Sequence, residues 1–213
     1  MFKFTKSEVR DLIIAFLVIS LCFGIANTGR NTSALLVILP YIMVGVGAGF
    51  ILHELGHKFV SMKYGYWAEF KLWPQGLLFA LVTSFFGFVF AAPGAVYTYA
   101  NYMTEEINGK ISIAGPVVNI LLALIFLLIA TWTYPSAHIS QTSATIYIAC
   151  SLGYSINSFL AVFNLLPIGN LDGSKVLRWN VGIWLVTIAI AGIMTALNMT
   201  IGVENIVRLI IGF

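Results

Sequence analysis

Two histidines and a glutamate stand inside an apolar stretch, in the sequence HELGH at residues 53–57. His53 and His57 are four residues apart, so on a helix their imidazoles project from one face, one above the other. This spacing lets both rings reach one metal ion at the distance of about 2.0–2.1 Å that zinc prefers. Glu54 points beside such an ion, about 100° around the helix, where it can accept a proton from an attacking water. The pattern predicts a hydrolytic centre with one Zn²⁺ per chain.

The alternative for the two histidines is a pair of interface side chains that hydrogen-bond to neighbouring helices. It is less favoured, because three ionisable groups within five residues of a membrane segment usually serve a function.

A catalytic zinc ion usually has a third protein ligand and keeps a fourth position for water. Asp172 is the best candidate, because it follows an apolar run in FNLLPIGNLDG, where Pro167 interrupts the helix and two glycines loosen the chain. The segments that carry HELGH and NLDG are both expected to end on the same side of a membrane, so the two motifs meet at similar depth. The alternative for Asp172 is a turn aspartate at the end of a helix. His138 lies in a loop on the opposite side.

The other carboxylates weighed as ligands belong either to the charged N-terminal flank, as the first two below do, or to polar stretches near the cytoplasmic surface, where solvation explains them. They are Glu8, Asp11, Glu69, Glu105 and Glu106.

The composition requires a membrane environment. Hydrophobic residues make up 60% of the 213 residues and charged residues only 9%, whereas a soluble domain carries about 25% charged residues. The net charge of +3 comes from scattered basic residues, which excludes nucleic acid as a partner because phosphate binding needs a concentrated basic face. Cys22 and Cys150 both lie in apolar runs, where we expect them to be packing residues.

Five stretches contain the roughly 20 apolar residues that a membrane helix needs. They are residues 11–27, 34–58, 111–134, 144–168 and 179–198.

The two ends of the chain need separate interpretation. The basic N-terminus precedes an apolar run, as in a signal peptide, but the run continues to Ala26 without a small-residue cleavage site, so we expect a retained membrane helix. The C-terminal sequence TIGVENIVRLIIGF carries Glu204 and Arg208 four residues apart. These side chains can pair on one face of a helix, which predicts an interfacial or shallow segment.

Residues 59–110 are different, because their apolar part is interrupted by Gly87, Pro93 and Gly94. Suppose that this part does not cross the membrane and that the N-terminus is cytoplasmic. Arg30 is then the one basic residue assigned to the outer side, while the side on which Arg208 lies is left open. A single crossing would move Lys110 and the later basic residues outward and remove the asymmetry that the positive-inside rule predicts. We therefore expect an element that enters and leaves from the cytoplasmic side, against protein or a wet cavity.

The basic residues on the cytoplasmic side of this arrangement are Lys3, Lys6, Arg10, Lys58, Lys63, Lys71, Lys110, Lys175 and Arg178. The predicted fold is an all-α polytopic membrane protein with five to six transmembrane segments. A small membrane-associated β or re-entrant element lies between the second and third segments.

Asn119 stands one to two turns inside the third segment, in SIAGPVVNILLALIF. Its amide has two equally suitable roles. It can bind substrate, by a hydrogen bond to the backbone or to the carbonyl oxygen under attack, or it can make an interhelical hydrogen bond.

These motifs together resemble the site-2 protease family of intramembrane zinc metalloproteases (peptidase family M50). HELGH is similar to the first family motif, NLDG to the second, and AGPVVN to the G-P-x-x-N that begins the third core helix, so the resemblance covers about residues 34–178. NLDG lacks the proline of the N-P-x-D-G form that many members have. The resemblance implies His53, His57 and Asp172 as zinc ligands and Glu54 as the catalytic base. It also implies substrates that are single-pass membrane proteins.

The sequence thus predicts one integral-membrane metalloprotease domain over residues 1–213, with a catalytic core at about 34–178. We expect a multi-pass protein of the cell membrane whose N-terminus and active-site opening are cytoplasmic, and whose partners are transmembrane protein substrates and the lipid bilayer. The stretch FVFAAPGAVYTY either binds an extended substrate by strand addition or only plugs the cavity. The alternative function is a metal-binding membrane transporter or channel, whose histidines and aspartate line an ion path.

Overall fold

The computed structural model describes residues 3–29 and 31–212. The first half of the chain contains α1 (Lys6–Thr28), α2 (Thr32–Val46), a π-helical segment (Gly47–Ile51), α3 (Leu52–Lys63), β1 (Trp67–Leu72), α4 (Pro74–Ser84) and β2 (Gly94–Tyr99). The second half contains α5 (Glu105–Thr133), a 3₁₀ turn (Tyr134–Ser136), α6 (Gln141–Leu165), α7 (Asp172–Trp179), α8 (Val181–Thr200) and α9 (Gly202–Ile211).

Five helices of the described residues are long and apolar enough to cross a membrane. They are Lys6–Thr28, Thr32–Lys63, Glu105–Ser136, Gln141–Leu165 and Val181–Thr200. Each coincides with one of the five segments expected from the sequence. The prediction of an all-α polytopic membrane protein is therefore confirmed.

Polar side chains define where these helices begin. At five helix starts the side chain of the residue before the helix accepts a hydrogen bond from a backbone N–H of the first turn, which satisfies a donor that has no partner within the helix. These capping residues are Thr5, Asn31, Thr104, Ser140 and Asn180.

The C-terminal helix α9 is not a further crossing. Its 10 residues extend only about 15 Å, half the thickness of the hydrocarbon core. The predicted pair is present, since Arg208 lies 2.7 Å from Glu204 Oε1. Glu204 also accepts a hydrogen bond from the Tyr134 hydroxyl at 3.0 Å, so α9 packs at the Tyr134 end of α5.

The segment between α3 and α5 contains a small β element, one of the two forms, β or re-entrant, that the sequence left open. β1 and β2 pair antiparallel, with Trp67 opposite Tyr99 and Leu72 opposite Gly94. The 11-residue helix α4 connects them and extends about 16 Å, which is too short to cross a bilayer. Arg30, the basic residue expected on the opposite side of the membrane, lies outside the described residues.

Two apolar cores pack against α6. The first contains Leu160 and Phe163 of α6 with side chains of α1, α2, α4 and the sheet. The second contains Tyr154 and Leu165 of α6 with side chains of α5, α8 and α9. Because α6 belongs to both cores, it fixes α5 and the first two helices relative to one another.

We predict that both ends of the α3–α5 connection lie on one side of the membrane, because α4 is too short to cross it. Single cysteines at Lys71 and Lys110, in a background without Cys22 and Cys150, should react with a membrane-impermeant maleimide from the same face of oriented vesicles. A cysteine at His138, in the loop between α5 and α6, should react only from the other face. Labelling of the Lys71 and Lys110 positions from opposite faces would show that the topology is wrong.

Candidate metal centre

Three buried side chains from two helices meet at one point. His53 and His57 project from one face of α3, and their Nε2 atoms lie 3.0 Å apart. Asp172, the first residue of α7, places Oδ2 3.0 Å from His57 Nε2 and 3.4 Å from His53 Nε2. Within the described residues these three side chains form a group that could hold one metal ion. The structure therefore brings together the three ligands expected from the sequence.

The end of α6 delivers Asp172 to the histidines. α6 ends at Leu165, and the chain turns at Gly169, whose φ of +54° lies in the left-handed region that favours glycine. A Cβ at Gly173 would lie 1.9 Å from the carbonyl oxygen of Leu165, so only glycine lets the start of α7 pack against the end of α6. The NLDG sequence thus positions the carboxylate without the proline found in many members of the family that it resembles.

Hydrogen bonds on the far side of each imidazole determine its tautomer. His53 Nδ1 lies 2.6 Å from Asn119 Oδ1, and His57 Nδ1 lies 2.8 Å from the carbonyl oxygen of Ile111. Both partners are acceptors, so each Nδ1 must carry a proton and each Nε2 presents a lone pair in the neutral ring. Two imidazole lone pairs and a carboxylate oxygen then converge within 3.4 Å of one another.

Such a set of acceptors is stable only with a cation or a proton between them. Ligand atoms at the corners of a tetrahedral zinc site, with bonds of about 2.0–2.1 Å, are about 3.3 Å apart. The observed separations of 3.0–3.4 Å match this geometry. The donor set and its spacing therefore fit one zinc ion.

Asp172 is suited to act as a ligand because its two carboxylate oxygens face different groups, and Oδ2 faces both histidines. Lys175 Nζ lies 3.4 Å from the other carboxylate oxygen, Oδ1. Oδ2 therefore faces the histidines while Oδ1 faces the lysine.

Asn119 supports His53 and does not line the cavity. Its Nδ2 donates to the carbonyl oxygen of Gly49 at 3.1 Å and to Asn157 Oδ1 at 3.0 Å, and its side chain is fully buried. Both amide protons are used, so the predicted hydrogen bond to a substrate carbonyl has no free donor. Of the two roles weighed from the sequence, the interhelical hydrogen bond is the one present, and the substrate role stays a prediction without geometric support.

The sequence interpretation missed the partners of this network. Asn157 donates to the carbonyl oxygens of Gly45 and Gly153, and the π-helical segment supplies the Gly49 carbonyl that Asn119 binds. The signal that points to Asn157 is an amide in the middle of the apolar run of α6, whereas the second asparagine of this helix, Asn164, stands near its end. Nothing in the sequence identifies the Ile111 carbonyl, because every residue carries one.

Gly115 leaves the space in which the three ligand atoms meet. A Cβ at this position would lie 2.5 Å from His57 Nε2 and 2.6 Å from His53 Nε2. These are the two lone-pair atoms, so a methyl group there would clash with both imidazoles and push them out of their positions for binding an ion. The glycine of AGPVVN is therefore required by the metal centre itself.

Glu54 lies beside the three ligand atoms and in the wall of a cavity of about 790 Å³. It is 7% exposed, and its Oε2 has no hydrogen-bond partner among the described residues. His53, His57 and Asp172 line the same cavity, as do β2 residues 94–98. A buried carboxylate oxygen without a partner, next to a metal centre, is available to take up a proton.

The other candidates weighed from the sequence lie away from this centre. His138 packs against Tyr134, with ring centroids 5.7 Å apart, at the opposite end of α5. Glu8 and Asp11 contact the sheet, through the backbone N–H groups of Phe70 and Leu72. Among residues 3–29 and 31–212, no second group of three such side chains lies close enough together to hold a metal ion.

Comparison with known proteins found several zinc metalloproteases. Two relatives bear the name "Putative zinc metalloprotease": MJ0611 of Methanocaldococcus jannaschii, 42% identical over 86% of this chain and 90% of its own, and YwhC of Bacillus subtilis, 31% identical over 66% of this chain and 69% of its own. A third, zinc metalloprotease MJ0392 of M. jannaschii, is 26% identical over 80% of this chain and 41% of its own. No family model and no solved structure matches the chain.

We predict that Gly115→Ala abolishes metal binding while the protein still folds, because the added methyl group would displace both imidazoles from the ion. Zinc per chain in the purified protein, measured by mass spectrometry, should fall at least about tenfold relative to the parent. Gly192→Ala in α8 is the matched control, since a Cβ there meets no atom within 4 Å. Full zinc content in Gly115→Ala would mean that the ion does not lie between His53 and His57.

Proposed function

Because this chain belongs to the zinc metalloprotease family of MJ0611 and YwhC, we propose that it is an intramembrane endopeptidase of the site-2 protease type (peptidase family M50). In this proposal it hydrolyses peptide bonds within or near the transmembrane segments of membrane proteins. The observation that carries the proposal is the place of the metal centre: His53 and His57 belong to a helix, Thr32–Lys63, that is long and apolar enough to cross a membrane.

The proposed ligands are His53, His57 and Asp172, which hold one zinc ion per chain. When bound, zinc supplies a Lewis acid that polarises the scissile carbonyl and acidifies the attacking water. Glu54 acts as the base: it accepts a proton from that water and passes it to the leaving amine. The unpartnered Oε2 of Glu54 supports this role, because no other side chain competes for the proton.

Water must reach this centre, since hydrolysis consumes it and the hydrocarbon core of a bilayer contains almost none. The cavity wall includes four polar residues besides the site itself, namely Asn108, Asn164, Asn170 and Lys175. We propose that they line a water path that opens to the cytoplasm, on the side of the N-terminus, in a multi-pass protein of the cell membrane.

The second strand is the proposed docking edge for substrate. β2 residues 94–98 line the cavity, and the backbone of Val96 interacts with the Glu54 carboxylate. A transmembrane helix offers no free backbone groups to a protease until it unwinds, and an edge strand can hold the unwound segment by main-chain hydrogen bonds. In this proposal β2 presents the extended segment to Glu54, instead of only plugging the cavity.

These steps need no second domain. We propose that the whole chain is one integral-membrane metalloprotease domain with its core at about residues 34–178, and that its partners are transmembrane proteins presented within the lipid bilayer. The alternative of a metal-binding transporter or channel is not favoured, because the relatives are named as proteases and an ion path has no need of a base beside its ligands.

We expect Glu54→Gln to bind zinc and fold like the parent yet cleave at least about a hundredfold more slowly, because glutamine keeps the shape but cannot carry the proton. The measurement is turnover of a transmembrane substrate with the purified enzyme in lipid vesicles, together with zinc content. Glu106→Gln, at an exposed position at the start of α5, is the matched control and should leave both unchanged. Near-normal turnover in Glu54→Gln would overturn the protease mechanism and favour the transporter.

A further inference from the structure

A buried ion pair outside the metal centre joins the first helix to the helix of the HELGH sequence. Lys58 Nζ donates to Glu8 Oε1 at 2.7 Å and to Oε2 at 2.5 Å, and the two side chains are 0% and 1% exposed. Removing both charges from water is costly and often outweighs their mutual attraction. The pair therefore calls for an explanation other than simple stability.

Glu8 has a second partner, in the sheet. Its Oε1 accepts a hydrogen bond from the backbone N–H of Phe70 in β1 at 3.1 Å. Asp11, three residues later on α1, accepts one from the N–H of Leu72 at 3.3 Å. Consecutive residues of a strand direct their N–H groups to opposite edges. Phe70 and Leu72 are two residues apart and both donate to α1, so they mark the edge of β1 that faces away from β2.

Carboxylates of α1 thus cap the outer edge of the two-stranded sheet. An uncapped edge strand is a template for pairing with another extended chain. Since β1 is capped on one side and paired with β2 on the other, β2 carries the edge left for a further strand, and β2 lines the cavity.

Lys58 connects this cap to α3, the helix that carries His53 and His57. Glu54 and Lys58 are four residues apart on α3 and therefore lie on one face of the helix. Glu54 interacts with the backbone of Val96 in β2, while Lys58 holds the carboxylate that binds Phe70 in β1. The register places Phe70 opposite Val96. Glu54 and Lys58 therefore contact one cross-strand pair from the same face of α3, Glu54 directly at Val96 and Lys58 through Glu8 at Phe70.

We infer that Glu8 and Lys58, with Asp11, are positioning residues for proteolysis: they cap β1 and hold the sheet against α3, so that the β2 edge lies at Glu54. This inference rests on the proposed function for its effect on cleavage, but the cap itself is a property of the fold. Lys58 fixes the Glu8 carboxylate, and the acceptor oxygen of Glu8 is the group that acts on the strand.

Two double variants separate the role of Glu8 as a hydrogen-bond acceptor for the Phe70 N–H from the role of its charge in the pair with Lys58. The charge-free variant, Glu8→Gln with Lys58→Met, removes both charges but keeps an amide oxygen that can accept from Phe70. The charge-swapped variant, Glu8→Lys with Lys58→Glu, restores an opposite-charge pair, but a lysine has no acceptor for the Phe70 N–H. The matched control exchanges the exposed pair of α5, as Glu106→Lys with Lys110→Glu.

The readouts are amide hydrogen exchange at Phe70, zinc per chain, and kcat and KM for a transmembrane substrate in vesicles. The charge-swapped variant should keep its zinc, yet exchange the Phe70 amide at least about tenfold faster, and its kcat/KM should fall by about tenfold or more, because small displacements of a substrate-positioning element are costly. The charge-free variant should retain most of the protection and most of the activity, and the control should retain both fully.

Normal exchange and normal kcat/KM in the charge-swapped variant would overturn the inference, as would an equal loss in both double variants, which would indicate a role of the charge pair in stability alone. If the parent protein itself cleaves no transmembrane substrate, the proposed function fails, and exchange at Phe70 alone then decides whether Glu8 caps the strand.

Discussion

The arrangement of the whole molecule depends on three buried acceptor atoms that point at one another. Each imidazole donates its Nδ1 proton to an oxygen on α5, to Asn119 from His53 and to Ile111 from His57, so each Nε2 faces the Asp172 carboxylate with a lone pair. In an apolar interior this convergence is unfavourable without a positive charge at its centre. A metal ion resolves it, and the surrounding helices are arranged to leave the ion its space.

That requirement explains features of three helices. α5 carries glycine at position 115, since a Cβ there would clash with the imidazoles of His53 and His57. α6 ends where Gly173 lets α7 pack against it and present Asp172. Before α3, the helix widens into a π-helical segment whose Gly49 carbonyl binds Asn119, as π-turns often do near functional sites. The metal centre thus lies where three apolar helices approach closely.

The sequence predicts the metal centre well because the patterns that indicate it, helical spacing and hydropathy, are local. The i, i+4 spacing of His53 and His57 places both imidazoles on one face of a helix. Hydropathy indicates the five apolar helices, and their order implies that Asp172 lies at the same depth as the histidines. For the segment between α3 and α5, charge asymmetry predicts that the apolar part does not cross but leaves a β and a re-entrant form open, and the structure has the β form.

What the sequence does not predict are contacts between distant parts of the chain. Asn119 has equal grounds for a substrate or an interhelical role until its partners are known, and the structure supplies Gly49 and Asn157 as those partners. Lys58 enters the sequence interpretation only as one of the basic residues of the cytoplasmic side, yet it is fully buried against Glu8, 50 residues away. Pairings of this kind depend on helix packing, which no local pattern encodes.

The central claim is that two imidazole nitrogens and one carboxylate oxygen hold a zinc ion inside the membrane domain. Zinc K-edge X-ray absorption of the purified protein tests it most directly, because the spectrum reports the ligand atoms and their distances. The account predicts a four-coordinate ion with two imidazole nitrogens and oxygen ligands at about 2.0–2.2 Å. A shell of sulfur at about 2.3 Å, or protein that binds no zinc, would contradict it.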